Sequence, residues 1–97
     1  MDNDIQKSHI DELYRCILKL ETMEECSSFF SDLCSSSELK SLSLRWLVAR
    51  ELDAGMTYQE IAQQRTSSSA TISRVSKCLA NKDSGYAKML QKIKESE

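Results

Sequence analysis

The sequence predicts an all-α fold, and three observations carry that prediction. The 97 residues hold no proline and two glycines. Apolar residues recur at i, i+3, i+4 and i+7 through most of the chain, while strand-like alternation is hard to find. Boxes of the type S/T-x-x-E open three of the apolar segments, and each such box marks a helix start by satisfying free backbone N–H groups. The length suits one domain near the lower end of independent folding. It buries only about 60–65% of its extended-chain surface, so a core shared in an oligomer would add stability.

The first helix is expected over residues 5–20. Ile10, Leu13, Ile17 and Leu20 form one stripe with Tyr14 and Leu18 beside it, an arc too wide for the edge helix of a monomer and better suited to a buried or intersubunit place. Thr22 and Glu25 form the first box and open a second helix whose apolar face is Cys26, Phe29, Phe30, Leu33 and Cys34. Ser35-Ser36-Ser37 interrupts the pattern, with Ser35 and Glu38 at box spacing again. A longer third helix follows over residues 38–53. Leu39, Leu42, Trp46 and Ala49 mark one face, and Leu44, Leu47, Val48 and Leu52 widen it almost around the helix. Trp46 reads as a core or interface anchor rather than a ligand platform. Gly55 suits the left-handed position that ends a helix.

Thr57 and Glu60 form the third box and start a short fourth helix over residues 58–64, with Ile61 and Ala62 expected to face inward. Arg65-Thr66-Ser67 makes a turn. Ser68 or Ser69 caps a fifth helix to about Ala80, on which Ile72, Val75 and Leu79 form an apolar stripe. Ser69, Ala70, Thr71, Ser73, Arg74 and Lys77 are left for the other side, short and polar enough to meet base edges and phosphates. Asn81 to Gly85 breaks the helix. A last helix over residues 86–95 turns Tyr86, Met89, Leu90 and Ile93 inward and Lys88, Lys92 and Lys94 outward. The expected organisation is a single domain, residues 1–97: residues 1–54 for the core and dimerisation, 57–80 for a helix-turn-helix, 86–95 for the C-terminal helix.

Charge is distributed unevenly beneath a net charge of −2. Residues 1–55 carry six Lys/Arg against eleven Asp/Glu, and residues 56–97 carry seven against four. No acid lies between Ile61 and Lys82, a span that contains Arg65, Arg74 and Lys77. This points to one end that faces a polyanion and an acidic end turned away; a merely solvated basic face would carry the same pattern.

Other chemistries find little support. Cys16, Cys26, Cys34 and Cys78 stand singly, with no C-x-x-C pair, and His9 is the only histidine. Reduced cysteines acting as small core hydrophobes in a cytoplasmic protein are the simplest reading, without a metal or other cofactor. No apolar run approaches the roughly 20 residues of a membrane span, and the acidic start Met1-Asp2-Asn3-Asp4 is unlike a secretory signal. Catalysis lacks a nucleophile–base pair, and the adjacent carboxylates Asp11/Glu12 and Glu24/Glu25 diverge on a helix.

Residues 38–79 resemble the Trp repressor superfamily, and within it the small YerC/YecD-type Trp-repressor-like proteins of bacteria. The resemblance rests on Leu42 through Leu52, on Gly55-Met56-Thr57-Tyr58-Gln59-Glu60-Ile61-Ala62, on Ser69-Ala70-Thr71-Ile72-Ser73-Arg74-Val75, on Cys78-Leu79 and on Gly85-Tyr86. It implies a six-helix domain, an intertwined homodimer whose first helices build a shared core, and a DNA-binding transcriptional regulator of repressor type. Ser68, Ser69, Ala70, Thr71, Ser73, Arg74 and Lys77 would face double-stranded DNA, with Arg65 and Lys82 (and Lys88) adding phosphate contacts. Arg74 is the best candidate for a guanine edge because its planar fork binds it bidentately.

Two departures stand out. Thr66 replaces the usual turn glycine, which accommodates positive φ cheaply. The two arginines that flank the tryptophan corepressor in the family match Arg45 and Arg74, but the glycine after the second is Val75 and a serine one turn on is Cys78. Those four residues mark an effector pocket, with tryptophan a poor fit for it. The alternative function is a helical protein-interaction or scaffold module that keeps the fold and does not bind DNA.

Overall fold

The structure is a computed structural model that describes residues 6–64 and 68–96. The expected sites Arg65, Thr66 and Ser67 lie outside the described residues. Six helices follow in order: α1 Lys7–Ile17, α2 Met23–Leu33, α3 Ser36–Asp53, α4 Tyr58–Gln64, α5 Ser69–Leu79 and α6 Gly85–Glu95. They divide into two compact units, Met1–Ser36 and Ser37–Glu97.

In the first unit, α1 opens on a cap the sequence did not disclose. The Gln6 backbone N–H donates to His9 Nδ1 at 3.3 Å, which gives the only histidine a local structural role. Lys7 and Asp11 pair one turn apart at 2.7 Å. At α2 the Glu25 N–H donates to Thr22 Oγ1 (3.0 Å), as the box predicts. The return bond is displaced by one residue, because Glu25 Oε1 accepts from the Glu21 N–H (2.7 Å) instead of Thr22. No residue of either helix is buried. The expected stripes hold in direction, with Leu13, Ile17, Leu20, Cys26, Phe29, Phe30 and Cys34 half-buried. Leu18 and Met23 are each 82% exposed, and Ile10, Tyr14 and Leu33 are exposed as well.

The second unit holds the core. Val48 and Ala49 of α3, Ile61 of α4, and Ile72 and Val75 of α5 are closed from solvent, with Leu44, Trp46, Leu52, Met56, Leu79 and Tyr86 packed around them. Each fully buried aliphatic side chain contributes about 1.5–3 kcal/mol relative to exposure. Trp46 stacks on Tyr86 at 6.5 Å between ring centroids, so it anchors α6 against α3. Lys94 and Asp53 pair at 2.8 Å along the same two helices.

Helix α3 ends in a Schellman arrangement. The Gly55 N–H donates to the Leu52 carbonyl and the Met56 N–H to the Glu51 carbonyl (3.1 and 3.0 Å), with Gly55 at φ +98°. This is the left-handed stop the sequence predicts. Helix α4 has the full reciprocal box: Thr57 N–H to Glu60 Oε1 at 2.9 Å and Glu60 N–H to Thr57 Oγ1 at 3.1 Å.

Several expectations need correction. Ala62 is exposed rather than inward: α4 is seven residues long, Ile61 takes its inward position, and the next residue turns about 100° away. Met89 is 49% and Ile93 37% exposed on α6, where Leu90 is the buried residue. The four cysteines are free, yet none is a core residue; Cys26 and Cys34 are half-buried, Cys16 and Cys78 exposed. Helix α3 starts at Ser36, two residues before the expected range of 38–53 and directly after Ser35, the residue its box places at the cap.

Candidate nucleic-acid interface

Helix α5 presents two sharply different sides. Ser68 caps it, its Oγ accepting from the Thr71 N–H at 3.2 Å and lying 3.0 Å from Thr71 Oγ1. At about 100° per residue, Ile72, Val75 and Leu79 fall within an arc of roughly 60°; Ile72 and Val75 are buried at 0% and 1% exposure. Ser69, Ala70, Ser73, Arg74 and Lys77 share an opposing arc of about 140°, and all five are exposed. Thr71 falls on the border and is half-buried. Its hydroxyl is already engaged with the cap, so it is less free to reach outward than its exposed neighbours.

The core is what holds this surface out. Ile72 and Val75 seat α5 against Ile61 of α4 and Val48 and Ala49 of α3. A second tie lies at the mouth of the helix pair: the Tyr58 hydroxyl donates to the Ser69 carbonyl at 3.1 Å. No sequence pattern signals it. Periodicity assigns faces within one helix and is silent on bonds between helices. The exposed face carries Arg74 and Lys77 with no acid on the helix, and Lys82 is exposed just beyond its end.

The four residues expected around an effector are not alike in their surroundings. Arg45 is half-buried, Arg74 and Cys78 are exposed, and Val75 belongs to the core. A cleft of about 590 Å³ runs along the end of α5 and α6, bordered by Leu79, Lys82, Lys88, Leu90 and Lys92, and none of the four residues lines it. Among the described residues, no group of three or more His, Cys, Asp or Glu is placed to hold a metal ion, and no helix is long and apolar enough to cross a membrane.

The electrostatics of the neighbouring cap are defined by one group. The Thr57 backbone N–H, and after it the Thr57 hydroxyl, hold the Glu60 carboxyl below its ordinary range, against a small opposing effect of desolvation.

Comparison with known proteins places this arrangement. A family model described as Trp repressor protein matches residues 8–94. The uncharacterised protein YerC of Bacillus subtilis is 42% identical over 93 residues, covering 96% of this chain and 89% of that one. A candidate Trp repressor of Staphylococcus aureus superposes with a TM-score of 0.82 at 42% identity, covering 92% of this chain and 89% of the other. A TrpR-like protein of Eubacterium eligens gives 0.81 at 35% identity, with 95% of each chain covered. Trp repressor-like proteins are regulators rather than enzymes. From the match over residues 8–94 and the shared six-helix fold, this chain belongs to the Trp repressor family.

Proposed function

We propose that the protein is a sequence-specific DNA-binding transcriptional regulator, of repressor type, that acts as a homodimer and sets α5 into the major groove. The observation that carries this reading is the division of α5 between a buried stripe and an exposed, acid-free face with Arg74 and Lys77 on it. A helix of this kind, held out by packing on its other side, is what groove recognition requires. Ser69, Ala70 and Ser73 meet base edges, Arg74 a base or phosphate, and Lys77, Lys82 and Arg65 phosphates. Ser68 and Ser69 lie where the free N–H groups of the first turn favour a phosphate.

The homodimer accounts for the first unit. Two helices with no buried residue and with Leu18 and Met23 82% exposed are poor candidates for standing alone in water, since apolar burial supplies most of the stability. A second copy covers them. Tryptophan is a poor fit as effector, because Val75, a core residue here, stands where the family carries a glycine.

Selection from a random pool of duplexes tests the reading. A dimer with two α5 helices about a dyad selects a near-palindromic site with half-sites about one turn, roughly 34 Å, apart. A pool that returns no shared site favours the scaffold function instead.

A further inference from the structure

We infer that Tyr58 is a positioning residue for DNA recognition: its hydroxyl fixes the first turn of α5 relative to α4, and so sets the angle at which the recognition face meets the groove. This rests on the DNA-binding reading above. Three observations lead to it. The Tyr58 hydroxyl donates to the Ser69 carbonyl at 3.1 Å across eleven residues. Ser69 is the first residue of α5, while Tyr58 is the first of α4, so one bond clamps the two helix starts together. The sequence between them, Arg65-Thr66-Ser67, contains no glycine.

The core by itself leaves this end of the pair loosely specified. Ile61 sits one turn along α4, and the buried residues of α5 are Ile72 and Val75, one and two turns in from Ser69. Packing that far from the helix start fixes the separation of the helices better than their rotation about the contact. The first turn of α5 carries Ser69 and Ala70, which are exposed toward the proposed groove. A small rotation there moves them by more than it moves Ile72, and recognition loses much when a contact is misplaced by about 1 Å. Tyr58 is 39% exposed, so its ring is not a core element and its removal does not open a cavity at the centre.

Tyr58→Phe keeps the ring and deletes the hydroxyl. The expected outcome is a fall in affinity for the selected operator of up to about five- to tenfold per subunit, since the variant must order the start of α5 on binding without the neutral hydrogen bond that holds it beforehand. Affinity for unrelated duplexes stays within about twofold, so the specificity ratio falls with it, because sequence-independent binding rests on phosphate charge and not on helix angle. In the free protein, amide hydrogen exchange of residues 69–73 quickens while that of α6 is unchanged. A wild-type protein that binds no DNA would sink the reading on which the proposal stands. Wild-type binding with equal losses on operator and unrelated duplexes makes the hydroxyl a phosphate contact and overturns the positioning role. An unchanged exchange rate at residues 69–73 overturns it as well.

Discussion

Replacing Gly55 by alanine isolates one backbone effect. Gly55 holds φ +98°, and a Cβ built there meets no atom within 4 Å. Clash with the rest of the fold therefore contributes nothing, and the change comes from the crowding of a Cβ against its own adjacent backbone in a left-handed conformation. That costs roughly 1–2 kcal/mol. The stiffer unfolded chain returns about 0.4–1 kcal/mol, which leaves a net loss near 1 kcal/mol. For a domain of about 60–100 residues this lowers Tm by roughly 4–8 °C. Gly85 is the matched control: a Cβ there also meets nothing, and its φ is not in the left-handed region. As the first residue of α6, Gly85→Ala leaves Tm unchanged or raises it by up to a few degrees. Thermal unfolding followed by circular dichroism reads both, at one fixed protein concentration because a dimer makes Tm concentration-dependent. An unchanged or raised Tm in Gly55→Ala would refute the assignment of this glycine as the stop of α3.

Glu60 gives a pH dependence. Its carboxyl is held low in the folded chain, so the stabilisation is complete above the unfolded carboxylate range and is lost as pH falls through the lowered folded value. Tm of the wild type should therefore fall toward acid pH more than that of Glu60→Gln, with the two curves converging at low pH; parallel curves would remove Glu60 from the account. The exposed faces of the first unit give a second expectation. Ile10→Asp with Leu18→Asp should raise the dimer dissociation constant at least tenfold by sedimentation equilibrium, since each apolar side chain covered is worth about 1.5–3 kcal/mol. An unchanged constant would mean that these faces are not the interface.

Much of the fold was legible because its signals are local. The Thr57/Glu60 box, the Gly55 stop and the Ile72/Val75/Leu79 stripe depend on spacings of three or four residues, and each appears in the structure where the sequence places it. The Thr22/Glu25 box was half legible: the forward bond forms, while the carboxylate takes the neighbouring Glu21 N–H, a choice between two adjacent donors that no pattern encodes. Ala62 faces solvent against expectation because a two-turn helix leaves too few residues for the pattern to fix its rotation.

The exposed residues of α1, α2 and α6 show a different limit. Their periodicity reports that a face is apolar but not what covers it, so it points Met89 and Ile93 inward although a single chain leaves them exposed. On the candidate interface, Arg74, Lys77 and Ser73 were legible as the side opposite a buried stripe. Tyr58 was not, because its bond to Ser69 joins two helices.

Operator affinity across salt, for the wild type and for Arg74→Ala/Lys77→Ala, decides whether the exposed face of α5 binds DNA. Both side chains are exposed, so the variant keeps its fold, which circular dichroism verifies. Wild-type affinity is expected to fall steeply with salt. The variant loses most of its affinity, and its slope is shallower by up to about 3–4 if both cations on each of two subunits contact phosphate. Equal affinity and equal slope in the two proteins would contradict that expectation and leave α5 without a role in binding DNA.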